Sequence, residues 1–285
     1  MSLTLLEQLS LPGDPATPNE DSFAHLDHAA LVLDGATPLG PPLLPGPSDA
    51  AWIAHFGARR LAAHLKDGDA PDHALKHALQ DAEKSFAGLT RQPIREKWQT
   101  PCASLMLAVE LGRDQRGSEI EFIWFGDCVA LIEHDGTVEI VGEAIQKRKA
   151  EAARARNVAR EKNLSSVMGV NRPEIAPLLR AARNRINSGR NWLFTPDVRA
   201  AAHAAKKIVT VKPGARLLLA SDGFLALVSD YGAYDAQGLM EAAAGKGLAV
   251  LGEELRALEK SDQDGRKFPR FKASDDATAL LLQLI

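Results

Sequence analysis

RLLLASDG, residues 216–223, places an acidic residue, Asp222, just after a run of four apolar residues. The run predicts a buried strand, and the segment FLALVSDYG that follows predicts a helix. A strand that ends on Asp222 and a turn glycine holds the carboxylate rigidly at the edge of a site. The same arrangement occurs at Asp34, which ends AALVLDG, and without the helix at Asp127, which ends FIWFGD. Several strand-end acids favour one metal site with more than one ion over separate salt bridges.

Four more acids lie at or beside the ends of predicted strands, namely Glu20, Asp21, Asp275 and Asp276. Carboxylate oxygens are the ligands that Mg²⁺ and Mn²⁺ prefer. Two such ions roughly 3.5–4 Å apart lower the pKa of a water between them and clamp a phosphoryl oxygen. Hydrolysis of this kind needs no nucleophilic side chain.

Composition is typical of a soluble globular protein, with 45% apolar and 25% charged residues in a chain of 285 and a net charge of −3. Two cysteines, Cys102 and Cys128, are too few for a disulfide framework, and we expect both to be buried packing residues. No Cys/His spacing resembles a zinc site. His25, His28, His55 and His64 have no common spacing with a second base and are interpreted as structural. The N-terminus lacks a basic segment before its apolar residues, and no apolar run approaches a membrane span. We therefore expect a cytoplasmic protein with no membrane partner.

The order of predicted elements favours an α+β fold over a doubly wound sheet. Residues 12–19 and 36–49 are loops rich in proline and glycine, and Ser48 is placed to cap the helix that follows. Two amphipathic helices precede a succession of short strands with an Asp135-Gly136 hairpin turn. Two further strands around Pro213-Gly214, helices at about 236–259 and a final strand, ATALLLQLI, complete the pattern.

Residues 144–190 differ from the rest of the chain because they hold twelve basic and three acidic residues. Apolar residues between Ile175 and Ile186 fall on one helical stripe, so we interpret the segment as a helical insertion packed over the core. Its charge has three interpretations: a solvated helical face, a flap that steers acidic phosphorylated substrate, or a nucleic-acid surface. Nucleic acid ranks third, because few aromatic residues accompany the charges.

Five short motifs occur in the order and approximate spacing typical of one family: NED at 19–21, DG at 34–35, GD at 126–127, SDG at 221–223 and DDAT at 275–278. In this pattern the chain resembles a divergent, bacterial-like member of the metal-dependent Ser/Thr protein phosphatases of type 2C, or PPM family. The similarity covers about residues 16–285. It implies one domain over residues 1–285, a four-layer α-β-β-α sandwich of two packed, mainly antiparallel sheets flanked by helices, with residues 144–190 as a flap-like insertion.

The resemblance also implies catalytic roles for the strand-end acids. Asp34 would bridge two Mn²⁺ or Mg²⁺ ions, and Asp222 and Asp275 would hold the first ion. A hydroxide that bridges the metals would attack the phosphorus of phosphoserine or phosphothreonine in a protein substrate. Asp127 would match a ligand of the weaker third ion found in many members.

The second ion would be held by residues near the first motif. The resemblance assigns it Glu20 and the backbone carbonyl of Gly35, with Asp21 just outside its ligands. Asp276, which stands where the family usually has Asn, would also support the metals from outside.

Three positions depart from the family pattern in ways that affect phosphate and metal binding. Ala16 stands where the family usually has the arginine that grips the substrate phosphate, and ATPLG at 36–40 replaces its Gly-Gly-His stretch. Ala226 replaces an acid of the third metal site. These changes weaken phosphate capture and the third ion, and the basic insertion is placed to compensate for the first.

Two alternative functions follow from the same residues. A catalytically weak or inactive type 2C-like protein that binds a regulatory partner would explain Ala16 and the missing Gly-Gly-His. An aspartyl-phosphate enzyme of the haloacid dehalogenase type can start from VLDGAT, but that family needs an acid where Ala36 stands, so we discount it.

Overall fold

A computed structural model describes residues 2–113, 117–161 and 169–285. The strands in chain order are β1 (Leu3–Leu11), β2 (Asp21–Leu26), β3 (Ala29–Gly35), β4 (Ala103–Arg113), β5 (Ser118–Phe125), β6 (Val129–His134), β7 (Thr137–Val141), β8 (Ala205–Val211), β9 (Arg216–Ala220) and β10 (Ala277–Leu284). The helices are α1 (Asp49–Lys66), α2 (Pro71–Leu89), α3 (Ala144–Glu161), α4 (Ala176–Arg183), α5 (Asp222–Ser229), α6 (Ala236–Lys246) and α7 (Leu248–Ser261).

The strands form two five-stranded sheets in which every pairing is antiparallel. The first sheet has the order β1-β10-β9-β6-β7 and the second has the order β2-β3-β4-β5-β8. The expected α+β sandwich of two packed sheets flanked by helices is confirmed.

The apolar strands are buried on both faces because each sheet lies between the other sheet and a layer of helices. In β3, Leu31 and Leu33 pack with α1 and α2, while Ala30 and Val32 belong to the core between the sheets. β9 alternates in the same way between the intersheet core and the layer of α5, α6 and α7. Because successive side chains of a strand point to opposite faces, a continuous apolar run suits this four-layer arrangement.

Local signals in the sequence have the expected outcomes at several turns and caps. Ser48 Oγ accepts the Ala51 N–H at 3.2 Å and so caps α1. Asp135 and Gly136 both have positive φ, 51° and 77°, as a two-residue hairpin turn requires. Both cysteines are buried and unpaired.

Two strands of the first sheet come from opposite ends of the chain. β1, which the sequence pattern did not reveal, pairs with β10. The N-terminal strand is therefore the edge strand of this sheet, beside the C-terminal strand. β8 and β9 are separated by the Pro213-Gly214 turn but join different sheets, so this turn carries the chain from one sheet to the other. In the described parts of the chain, no helix is both long and apolar enough to cross a membrane.

The basic segment contributes two helices that lie over the acidic end of the sandwich. α3 packs against α5, and Ala155 and Val158 form a small apolar cluster with Ile175 and Phe271. The stripe predicted up to Ile186 is only partly helical, because α4 ends at Arg183. Residues 162–168 of the predicted insertion, Lys162 among them, lie outside the described residues. The assignment of the whole segment as a flap stays a prediction.

Candidate metal centre

The three strand-end acids meet where the sheets approach each other at one end. Asp34 is the penultimate residue of β3, Asp222 is the first residue of α5 directly after β9, and Asp127 lies in the turn between β5 and β6. One carboxylate oxygen of each lies within 4.8 Å of an oxygen of the other two. The structure therefore brings these acids into a single cluster.

Asp34 is surrounded by negative charge. Burial raises its pKa well above the ordinary value, and the carboxylates of Asp222, Asp21, Asp275 and Asp127 raise it further. Buried like charges are tolerated only when protons or cations neutralise them. A cluster of oxygen ligands with an excess of negative charge is what a hard divalent cation requires.

Asp21 lies opposite Asp34 in the β2–β3 ladder and is almost fully buried. Burial raises its pKa well above the ordinary value. The Ser221 and Thr278 hydroxyls are close enough to favour the anion, but among the described residues neither carboxylate oxygen of Asp21 has a partner in hydrogen-bond geometry. A buried carboxylate without a donor needs a cation or an ordered water. The donor set of this centre thus fits divalent metal ions.

Asp275 lies just before β10 and pairs with Lys272. The ammonium group is 2.6 Å from Asp275 Oδ1. Burial opposes the charge of Lys272, but Asp275 and Asp34 outweigh it and hold its pKa above the usual value. Burial likewise raises the pKa of Asp275, while Lys272 and Arg148 lower it more, so that this carboxyl is an anion at neutral pH. Its Oδ2 accepts no hydrogen bond from the described residues and is free for a metal.

Arg148, from α3, brings a second cation into the centre. Its Nη1 lies 2.9 Å from Asp222 Oδ2, and its Nε and Nη2 both lie 3.0 Å from Asp230 Oδ2. All three side chains are nearly buried, with exposed fractions of 8–11%. Ala226 stands between the two acids along α5. The guanidinium thus neutralises two acids on the side of α5 where the family pattern predicts a third metal ion.

Glu20 and Asp276 have different surroundings from the central acids. The Glu20 carboxylate accepts hydroxyl hydrogen bonds from Thr37 and Ser48, each at 2.6 Å. The Asp276 carboxylate accepts the N–H groups of Gly13 and Glu20, at 2.7 and 2.6 Å. Asp276 therefore fixes the loop that carries Glu20, and neither residue lines the cavity around Asp34.

Two glycines allow the backbone to pass close to the acids. A Cβ on Gly223 would lie 2.0 Å from the carbonyl oxygen of Asp276, and one on Gly35 would lie 2.5 Å from that of Ala50. No side chain fits at such distances, because these atoms belong to the backbone. The Asp-Gly pairs of the sequence are thus required for the close approach of the segments that carry the acids.

A cavity of about 330 Å³ opens over the cluster and is lined by β3 and β4 of the second sheet, by α5 and by the basic segment. Arg183, at the end of α4, lies in this lining, and its Nη1 donates to the Thr37 carbonyl at 2.7 Å. Among the described residues, no carboxylate lies within 4.0 Å of its guanidinium. Arg183 therefore brings an uncompensated positive charge to the cavity.

Sequence reasoning missed Arg148, Lys272 and Asp230. Asp230 follows Asp222 by eight residues with Ala226 midway, which is the spacing of one face of a helix. Lys272 lies three residues before Asp275. These two had a local signal, whereas Arg148 is one of twelve basic residues in its segment and only the packing of α3 on α5 singles it out.

Solved structures with a similar fold include bacterial phosphatases. The serine/threonine phosphatase PstP/Ppp of Mycobacterium tuberculosis matches with a TM-score of 0.59 at 16% identity, over 100% of this chain and 99% of that chain. The PstP catalytic domain in complex with two manganese ions matches at 0.55 and 15%, over 99% of each chain. The PPM Ser-Thr phosphatase MsPP of Mycobacterium smegmatis, in complex with cacodylate, matches at 0.53 and 16%, over 99% of this chain and all of that one. This chain has the type 2C fold.

The likeness to type 2C structures is one of fold alone at these identities. No family model matches the sequence, and no curated protein matches it. Activity therefore has to be judged from the residues of the type 2C centre. At Ala16, where the family usually has its phosphate-binding arginine, the structure shows an exposed turn residue whose N–H bonds to Asp14.

Proposed function

We propose that this protein is a metal-dependent phosphatase that hydrolyses phosphoserine and phosphothreonine in proteins. The observation that carries the proposal is the cluster of Asp34, Asp127 and Asp222 inside a cavity of a type 2C fold. The manganese-bound PstP structure supports two ions for a protein of this fold. Two unpaired buried cysteines agree with a reducing cytoplasm as the place of action.

In this proposal the acids keep the roles that the family resemblance implies. Asp34 would be shared by two Mn²⁺ or Mg²⁺ ions, Asp222 and Asp275 would hold the first, and Glu20 and the carbonyl of Gly35 would hold the second. Asp21 and Asp276 would lie just outside the residues that bind the ions directly. Bound divalent cations supply a water nucleophile at neutral pH and neutralise the phosphoryl oxygens.

Arg148 favours two ions over three. A third ion would use Asp127 and an acid at position 226, but this chain has Ala226 there, and the Arg148 guanidinium binds Asp222 and Asp230 on either side of it along α5. Because Arg148 has a fixed charge, it supplies a positive field at this point without a metal. The Asp127 carboxylate, whose Oδ1 accepts a hydrogen bond from the Ser104 hydroxyl at 2.5 Å, would then face the two shared ions.

Arg183 is the group that we assign to phosphate capture in place of the family arginine missing at Ala16. Arg183 lines the cavity, and its guanidinium has no carboxylate partner in the described structure. A planar guanidinium suits bidentate binding of two phosphate oxygens. The basic insertion around it would steer an acidic phosphorylated substrate toward the centre.

The test is hydrolysis of p-nitrophenyl phosphate and of phosphoserine and phosphothreonine peptides by the full chain, with Mn²⁺, with Mg²⁺ and with chelator. We expect hydrolysis only with metal, and its loss in Asp222→Asn. Asp264→Asn is the control, because Asp264 is an exposed acid outside the centre. Metal-independent turnover, or full activity in Asp222→Asn, would overturn the proposal.

A regulatory partner-binding protein is the second candidate. Lys272 and Arg148 neutralise Asp275 and Asp222 from within the chain, which favours a centre that is stable without metal. A calorimetric titration with Mn²⁺ separates the two candidates. Binding of two ions with hydrolysis supports the phosphatase, whereas a folded protein that binds no Mn²⁺ supports the partner-binding function.

A further inference from the structure

A second group of metal-ligating side chains lies between α1 and α2. His64 is in the last turn of α1, Asp69 is in the short connection, and His77 is in α2. Their donor atoms all lie within 4.8 Å of one another, and none of the three residues lines the cavity around Asp34. We propose that His64, Asp69 and His77 form a separate binding site for Zn²⁺ or a similar transition-metal ion.

The distances suit a tetrahedral ion. Bonds of roughly 2.0–2.2 Å place neighbouring donors of such an ion roughly 3.4 Å apart. Asp69 Oδ2 lies 3.4 Å from His64 Nδ1 and 2.7 Å from His77 Nδ1. The 3.4 Å separation of Asp69 and His64 already suits an ion. The 2.7 Å separation of Asp69 and His77 would lengthen when an ion replaces the proton between them. All three side chains are partly exposed, which gives an ion access and leaves room for a water as the fourth ligand.

A carboxylate behind His64 fixes the orientation of its ring. His64 Nε2 lies 2.8 Å from Asp81 Oδ2, and Arg60 holds the same oxygen. When Nε2 donates to Asp81, the neutral ring presents its Nδ1 lone pair toward Asp69. Two electron-rich atoms that face each other need a proton or a cation between them. Carboxylate–histidine–metal arrangements of this kind are usual at zinc sites and raise the basicity of the ligand.

The donor set selects the class of metal. Two imidazole nitrogens and one carboxylate oxygen favour Zn²⁺, Co²⁺ or Ni²⁺ over Mg²⁺, which requires oxygen ligands. The Asp69 carboxylate lies between the two imidazole rings and contacts both His64 and His77. The bound ion would tie the end of α1, the connection and α2 together, and α1 in turn packs on β2 and β3.

The pattern was not visible in the sequence because the donors come from three elements. His64 and His77 are thirteen residues apart, and the spacing does not match that of a short zinc motif. The short connection between α1 and α2, which ends where α2 begins at Pro71, places the two helices side by side and so brings the three donors together.

The experiment is a titration of the metal-stripped full chain with Co²⁺ and then Zn²⁺ in excess Mg²⁺, which occupies oxygen sites but competes poorly for imidazole. We expect one Co²⁺ with the visible absorption of a tetrahedral complex, displaced by Zn²⁺. The signal should persist in Asp222→Asn and disappear in His77→Gln. It should also persist in His55→Gln, because the exposed His55 of α1 bonds the Asn19 carbonyl and not this group.

Asp81→Asn adds a graded readout, with a loss of affinity of about 10- to 100-fold from the missing carboxylate behind His64. If His77→Gln does not fold, the same Co²⁺ titration is made on Asp69→Asn, in which the absorption should also disappear. Equal Zn²⁺ affinity in the wild type and in the folded His77→Gln or Asp69→Asn variant would overturn the proposal, as would absence of Co²⁺ binding to the wild type. The outcome is independent of the phosphatase assay.

Discussion

Arg148 Nη1 lies 2.9 Å from Asp222 Oδ2, so a helix of the basic segment is bound directly to an acid of the metal centre. The same guanidinium binds Asp230 at the other end of α5. The centre therefore contains its own cations, and its charge balance depends on where α3 lies.

Replacing Arg148 should destabilise the protein most when no metal is present. In Arg148→Ala, Asp222 and Asp230 lose their counter-charge while nearly buried, and breaking such a pair costs about 3–5 kcal/mol. Mn²⁺ should recover part of this loss by neutralising Asp222. The measurement is urea unfolding with chelator and with Mn²⁺.

Arg156→Ala is the matched control, since Arg156 is exposed on the same helix. We expect a change of at most about 0.5 kcal/mol for it. A loss of stability in Arg148→Ala no larger than in this control would contradict an ion pair that holds α3 on α5.

Asp34→Asn should stabilise the metal-free protein while abolishing hydrolysis. The change removes an ionisable group whose pKa is raised by burial first and then by the carboxylates of Asp222, Asp21, Asp275 and Asp127. Each pKa unit corresponds to about 1.4 kcal/mol, so we expect an increase of at least this order in the free energy of unfolding in chelator at neutral pH.

With Mn²⁺ the order should reverse, because the wild type alone binds the shared ions. The thermal unfolding midpoint of both proteins, with chelator and with Mn²⁺, checks this. A variant that is less stable than wild type in chelator would show that Asp34 has a structural role rather than a metal-binding one.

Arg183→Ala should impair substrate binding without disturbing the metals. A charge-assisted hydrogen bond contributes about 1.5–3 kcal/mol, which corresponds to roughly a 10- to 150-fold decrease in kcat/KM. Inorganic phosphate should inhibit the variant more weakly than the wild type, whereas Mn²⁺ affinity should not change.

Arg183→Lys keeps the charge but loses the bidentate geometry, so we expect an intermediate value. Arg190→Ala, an exposed arginine of the same segment, serves as the control. Unchanged kcat/KM and phosphate inhibition in Arg183→Ala would rule out Arg183 as the phosphate ligand.

Asp262 should make the loop before Asp275 sensitive to acid. Burial raises the pKa of Asp262, but the N–H groups of Lys267 and Phe268 and the Arg270 guanidinium outweigh it and hold the pKa below the ordinary value. The carboxylate therefore contributes stability above about pH 4, and this contribution is lost as the pH falls through the lower folded value.

Asp262→Asn should cost about 3–5 kcal/mol at pH 7 because it leaves Arg270 buried without its counter-ion. The difference from wild type should shrink below about pH 4, as the pH approaches the lowered pKa at which the folded wild-type carboxyl is itself protonated. Urea unfolding between pH 3 and pH 7 measures both effects. A difference that does not depend on pH would contradict a role for the charge.

The sequence by itself determined the positions of the acids and most of the elements that carry them. Apolar runs that end at Asp34 and Asp222 are strands in the structure, and the Asp-Gly pairs are required by backbone contacts as close as 2.0 Å for a Cβ at Gly223. Local chemistry was sufficient there, because strand burial, turn geometry and helix caps depend on neighbouring residues. The order of acidic motifs then predicted the sandwich.

Only the tertiary structure decided which groups neutralise the acids. Arg148 reaches Asp222 across 74 residues of sequence, and Arg183 reaches Thr37 across 146. The pairing of β1 with β10 and the meeting of His64, Asp69 and His77 are likewise products of packing. A carboxylate does not encode its partner in the local sequence, because Coulomb interaction and hydrogen bonding depend on distance in space.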